Sequence, residues 1–316
     1  MTAADASTQN YTVTVTVAPG GTWTAKNVFG GTARSDAVGF SIGTKGYIGT
    51  GWDGTVYYKD FWQYDSVAGT WSQMADFGGT VADPRKAAVG FAIGTKGYIG
   101  TGKTTTGYQD DFWEYNPAGN AWTQMNSFGG TKRSSAVGFS VGTKGYIGTG
   151  EDGSGYTKDF YEFDPAANAG LGSWTQKADF GGTARRDAVG FLIATNGYIG
   201  TGYDGTYLKD FWEYNPATDK WTKMADFGGE ARSSAVGFGS LCGNGYIGTG
   251  STLCSYFKDF WEYTPAVGTG GTWTQMTDFG GTARDSGVGF LIGGLGYIGT
   301  GWDGSLYYRD FWEYEP

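Results

Sequence analysis

Histidine is absent from all 316 residues. Its absence removes the commonest general base near neutral pH and the commonest protein ligand for zinc and copper. Only two cysteines, Cys242 and Cys254, are present, too few to complete an ordinary transition-metal site. No metal and no cofactor are expected. Proline is scarce, at 7 residues, and no run of 18 apolar residues occurs, so membrane insertion through a helix is not expected. The N-terminus lacks the basic and apolar regions of a signal peptide. Met1-Thr2-Ala3-Ala4-Asp5 reads as the start of a segment excised from a longer chain. The 22 basic residues are scattered against 31 acidic ones, for a net charge of −9, so no patch suited to nucleic acid is visible.

Glycine and aromatic residues are what the chain has in quantity, with 59 glycines and 17% aromatics. Glycine at that level without a three-residue period excludes collagen, and the aromatics argue against disorder. Many tight turns in an all-β protein suit both figures. Internal repeats decide the fold class. Lys-Asp-Phe-Trp-Glu-Tyr recurs with small changes at 59–64, 110–115, 158–163, 209–214, 258–263 and 309–314. Gly-Tyr-Ile-Gly-Thr-Gly recurs unchanged at 46–51, 97–102, 145–150, 197–202, 245–250 and 296–301. Trp23, Trp71, Trp122, Trp174, Trp221 and Trp273 follow one another at intervals of 48, 51, 52, 47 and 52 residues.

Each unit holds four short strands; in the fourth they are expected at 188–194, 197–202, 210–215 and 221–227. The first two meet at Thr195-Asn196 beside Gly197, a hairpin signal. Four strands in about 50 residues is propeller spacing. The tyrosine of the Gly-Tyr-Ile phrase, the tyrosine closing the Asp-Phe-Trp phrase, the tryptophan opening strand four and an arginine before strand one together resemble the kelch family. The resemblance extends over residues 23–316. It implies an all-β, six-bladed propeller with strand one along the central channel and strand four outermost. One departure is that the kelch di-glycine is Thr-Gly in every unit, as at Thr50-Gly51.

The ends predict how the ring closes. The sixth unit stops at Tyr314-Glu315-Pro316, where a fourth strand is due, and Gly20-Gly21-Thr22-Trp23 matches Gly270-Gly271-Thr272-Trp273. Residues 23–29 should therefore complete the sixth blade and leave no open edge. Residues 1–22 stand apart as a linker or the last strand of a preceding immunoglobulin-like module. The alternating run from Tyr11 to Val17 reads as a strand able to pair along an edge.

Loops joining strands two to three and four to one share one face, the top. Arg34, Arg85, Arg133, Arg185, Arg232 and Arg284 should ring the channel mouth there, near Asp60, Asp111, Asp159, Asp210, Asp259 and Asp310. Either the arginines bind an anion or carboxylate, or each Arg–Asp pair ties the blades together. Presence in every unit favours the second. Loops that differ between blades are more informative. Trp52-Asp53-Gly54 with Tyr57, and Trp302-Asp303-Gly304 with Tyr307, belong to blades that are neighbours across the closure, and Tyr203-Asp204-Gly205 is a relative in blade four. Aromatic faces beside aspartate suit sugar rings; equally, the tyrosines pack between loops and Asp-Gly makes the turn. Glu114, Glu162, Glu213, Glu262 and Glu313 recur too regularly to be a catalytic pair, and Gln63 interrupts the set. The Gly-Thr-Gly segments end strands with no helix following, so they are not phosphate loops.

These features lead to a non-catalytic, extracellular or cell-surface module that presents its top loops to a glycan or a surface protein. A metal-free sugar-active enzyme, like the mutarotases of the kelch fold, is the alternative; the copper oxidases of that fold use histidine ligands, which this chain lacks. A purely structural or engineered repeat protein is a third reading. Cys242 and Cys254 are expected to stay unbridged. Cys242 ends a strand at the bottom and Cys254 lies in a top loop, roughly 17–20 Å apart at about 3.3 Å per residue, against the ~7 Å between Cα atoms that a disulfide allows.

Overall fold

The computed structural model describes residues 20–239, 243–266 and 270–316. Six four-stranded antiparallel sheets surround a central channel lined by strand-one residues such as Phe40, Phe139 and Phe290. Blade one runs Val38–Ile42, Lys45–Gly49, Phe61–Asp65 and Thr70–Met74, hydrogen-bonded in that order. Blade six consists of Val288–Ile292, Leu295–Gly299, Phe311–Glu315 and, from the other end of the chain, Thr22–Ala25. There Trp23 faces Tyr314, the register in which Trp71 faces Tyr64. The closure expected from the sequence is present.

Two strand limits differ from expectation. Strand four of blade four ends at Lys223 and the closing strand at Ala25. Lys26 N still donates to Phe311 O at 2.8 Å, and after a short break Phe29 N donates to Arg309 O at 2.7 Å. The first hairpin of blade four turns at Ala194-Thr195, one residue early, because Ala194 (φ 53°) takes the left-handed position held by Gly43 and Gly94 elsewhere.

The core lies between blades. Tyr47 and Ile48, adjacent in one strand, are both buried, since neighbours cover both sheet faces. The strand-three aromatic of each blade meets its counterpart in the next edge-on, as Phe61 meets Tyr115 at 4.9 Å and, across the closure, Phe311 meets Tyr64 at 4.9 Å. Such contacts add about 0.5–1.5 kcal/mol each beyond burial. Every strand-four tryptophan also donates its indole N–H to the preceding blade: Trp71 to Asn27 O at 3.1 Å, and Trp23 to Thr277 O at 3.2 Å. Glycine permits the close approach near the axis. A Cβ on Gly90 would lie 2.0 Å from Val38 Cγ1, and one on Gly97 would lie 2.5 Å from the Phe40 ring.

The run from Tyr11 to Val17 and residue Cys242 lie outside the described residues. Cys254 is an exposed free thiol.

Candidate functional site

The six arginines do not present themselves to the channel. Arg34, Arg85, Arg133, Arg185, Arg232 and Arg284 are all fully or almost fully buried. Each forks onto the aspartate of its own blade: Arg185 Nη1 donates to Asp210 Oδ1 at 2.5 Å and Nη2 to Oδ2 at 2.8 Å. Nη1 also reaches Thr201 O at 2.9 Å, and the guanidinium lies 4.9 Å from the Phe180 ring. Burial works against the Asp210 charge, but the Arg185 pair outweighs it and holds the carboxyl below its ordinary range. An anion from solvent would have to displace that carboxylate. The expected arginine ring at the channel mouth is corrected accordingly: these side chains pin the loop before strand one to the loop before strand three within a blade. The tie between blades is made by the main chain. Gly51 N donates to Arg85 O at 2.8 Å, and this bond recurs around the circle to Gly301 N and Arg34 O at 2.8 Å. Gly51 has φ +102°, and a Cβ there would meet Ser35 O at 2.8 Å, so the position requires glycine.

A different ring forms the mouth. Asp36, Ala87, Ser135, Asp187, Ser234 and Ser286 all adopt φ of 50–55° and join head to tail. Asp36 N donates to Ser286 O at 3.0 Å and Ala87 N to Asp36 O at 2.9 Å, and so on to Ser286 N and Ser234 O at 2.9 Å. They line a cavity of about 160 Å³. Asp36 and Asp187 stand in blades one and four, three blades apart around the ring. The residues just before the ring carry further charge: Lys86, Arg186 and Asp285. Lys86 pairs with Asp36 at 3.5 Å and lies 4.3 Å over the Trp52 ring. Arg186 pairs with Glu151 at 2.7 Å and with Asp187 at 3.4 Å. Asp285 accepts from Ser251 Oγ at 2.6 Å and has no lysine or arginine within 4 Å among the described residues. Burial pushes Asp187 up to about 6. Asp285 also rises to about 6, through burial and then repulsion from Asp36.

The variable loops rise around this mouth. Trp52 pairs with Ser35 and Trp302 with Asp285 through backbone bridges. Trp302 lies 6.2 Å from Tyr307, Tyr307 6.1 Å from Trp52, and Trp52 6.3 Å from Tyr57. Tyr256 of blade five extends the row, 5.7 Å from Trp302. These rings form one row, as the neighbouring blades suggest, but they are half-buried rather than exposed. Tyr203 does not join them; it packs on Tyr207 at 5.1 Å and lies under Arg186. The loop aspartates are occupied. Asp53 accepts from Thr55 N, Val56 N and, at 2.5 Å, Tyr58 Oη. Asp303 repeats this with Ser305, Leu306 and Tyr308, and Asp204 accepts from Thr206 and Thr183. Both oxygens of each are engaged and hold the loops in shape, the turn-building role that the sequence also offered.

The top face is therefore two-sided. Blades two to four present paired charges, whereas the loop tips of blades five, six and one expose Leu253, Leu306 and Val56, at 88%, 62% and 47%. Asp36, Lys86, Arg186, Asp187 and Asp285 escaped the sequence reading. The signal was the two residues after each repeated arginine, Ser-Asp, Lys-Ala, Ser-Ser, Arg-Asp, Ser-Ser and Asp-Ser, which vary between blades as the strand-two-to-three loops do. On the bottom face a cavity of about 540 Å³ opens beside Tyr198, Glu213 and Met224, next to residues outside the described set.

Among the described residues no helix is long and apolar enough to cross a membrane, and no cluster of metal-ligating side chains occurs. A search of the curated proteins finds no match to this chain. The Kelch motif matches residues 197–228, which span strand two of blade four to the loop after its strand four. Among solved structures, that of YjhT superposes with a TM-score of 0.73 over 90% of this chain and 95% of its own, at 15% identity. At that identity the likeness bears on the fold alone. Repeat and blade geometry show an all-β, six-bladed propeller, and one of its units matches the Kelch motif.

Proposed function

We propose that this propeller is a non-catalytic binding module, working outside the cell or at its surface, that takes a glycan on the top-face loops of blades five, six and one. The observation that carries the proposal is the row Tyr256, Trp302, Tyr307 and Trp52, four rings from three adjacent blades with successive centroids 5.7–6.2 Å apart. Sugar rings offer apolar C–H faces that stack on aromatic side chains, while their hydroxyls need polar partners nearby. Ser35, Ser251, Asp36 and Asp285 stand at the foot of that row. The row is built from loops that differ between blades, so it is not required by the repeat itself. Glycan-array binding of the whole chain tests the proposal. Saturable binding to saccharides supports it. Capture of a protein partner with no saccharide bound assigns the face to a protein instead.

A second reading, a metal-free sugar-active enzyme, is favoured by Asp187 and Asp285, two carboxylic acids titrating at about 6 and so suited to proton transfer near neutral pH. Polarimetry on freshly dissolved reducing sugars separates the two: a binding module leaves the rate of anomer interconversion unchanged.

A further inference from the structure

Of the three aspartates around the mouth, two are matched and one is not. Lys86 stands against Asp36 and Arg186 against Asp187. Asp285 is met by the hydroxyls of Ser251 and Ser286 but by no lysine or arginine among the described residues. Its surroundings are aromatic. Trp302 is bridged to it through the backbone. Tyr256 and Tyr307, from adjacent blades, flank that indole at 5.7 and 6.2 Å. A carboxylate set among tyrosines and a tryptophan, without its own cation, is the arrangement that attracts an organic ammonium. The carboxylate supplies charge, and the ring faces supply cation–π attraction worth about 0.5–2 kcal/mol each according to desolvation. Guanidinium groups already use the same chemistry nearby, with Arg186 5.7 Å from the centroids of both Tyr156 and Tyr203.

We infer that the saccharide bound on this face is an amino sugar, whose free ammonium sits at Asp285 between Tyr256 and Tyr307 while neighbouring rings of the oligomer stack on Trp302 and Trp52. This rests on the glycan reading above and adds the ligand's charge. The chain's net charge of −9 favours the approach of a cationic oligomer. A neutral or N-acetylated sugar would leave Asp285 without a counter-ion, and an acidic sugar would be repelled by it and by Asp36.

Titration calorimetry with three oligosaccharides of equal length tests this: a β-linked glucosamine oligomer, its fully N-acetylated form and the unsubstituted glucose oligomer. The expected result is binding of the glucosamine oligomer alone, weakened about tenfold or more by Asp285→Asn, which keeps a partner for Ser251, and likewise by Tyr256→Leu. Equal binding of all three oligomers, with Asp285→Asn unaffected, overturns the ammonium assignment while leaving a glycan site. No binding of any of the three, with binding of other saccharides on an array, overturns the amino-sugar assignment alone. Absence of all saccharide binding overturns both.

Discussion

Thr50 and its five counterparts adopt φ of 58–60°, a left-handed conformation that costs a side-chain-bearing residue about 1–2 kcal/mol and is unusual for a β-branched one. Each is also fully buried, and its hydroxyl has no hydrogen-bond partner among the described residues. An orphaned buried hydroxyl costs about 1–3 kcal/mol. Against these stand about 1 kcal/mol of chain entropy for glycine and about 0.8 kcal/mol for each of the two buried carbons, the Cβ and the methyl. Thr101→Gly should therefore stabilise the protein by about 1 kcal/mol by this balance. Urea unfolding checks the sign, and a loss of stability would show that the threonine packs better than its dihedral implies. Asp187 and Asp285 bear on pH. Both titrate at about 6 in the fold, against about 3.9 for a free aspartate. Between those values the folded chain holds protons that the unfolded chain has released, so their contribution to stability falls as pH rises from 4 through 6. The melting temperature of the wild type should drop between pH 5 and pH 7 relative to Asp285→Asn, which does not titrate. Parallel curves for the two proteins would contradict the assignment.

At the scale of the element, closure makes Thr22–Ala25 equivalent to any other outermost strand. Trp23 meets Phe260 at 5.1 Å and Phe279 at 5.0 Å, as Trp122 meets Phe61 at 5.0 Å and Phe77 at 5.2 Å. Trp23→Ala and Trp122→Ala should cost the same within experimental error, each about 3 kcal/mol as for other large-to-small changes at packed tryptophans. Equilibrium unfolding of the two variants measures this, and a negligible cost at Trp23 would mean that the ring is not closed there. Blade count, strand order and the cross-terminus pairing were legible because the tryptophan spacing and the unfinished sixth unit leave few arrangements that bury all edges. Strand ends were less so. Phe227 and Phe29 extend the apolar pattern past the strand, yet they serve the next blade: Phe227 lies 5.1 Å from the Trp273 ring, in a loop. A pattern of apolar residues does not say whether the backbone beneath it remains paired.

Across the whole molecule, what repeats six times builds the scaffold and what differs shapes the top face. The Arg–Asp pairs, the Gly–Arg main-chain bonds and the interblade aromatics are the same in every blade, whereas the mouth residues and strand-two-to-three loops divide the top face into a charged side and an aromatic, apolar side. Trp52, Trp302 and Tyr307 were visible in the sequence because the two tryptophans interrupt otherwise similar loops in adjacent blades, whereas Tyr256 of blade five was not. The charges at the foot of the aromatic row were not either, since one-residue changes after each arginine are small in a sequence and acquire meaning only when the ring brings them to one mouth. Leu253, Leu306 and Val56 leave exposed apolar tips on the aromatic side. The most direct measurement is glycan-array and calorimetric binding by the wild type beside the double variant Trp52→Ala, Trp302→Ala, with melting temperatures recorded in parallel. Binding by the wild type that falls at least tenfold in the variant, about 1.4 kcal/mol, with little change in melting, is the predicted result. Undiminished binding by a folded double variant would place recognition elsewhere on the propeller and contradict the account.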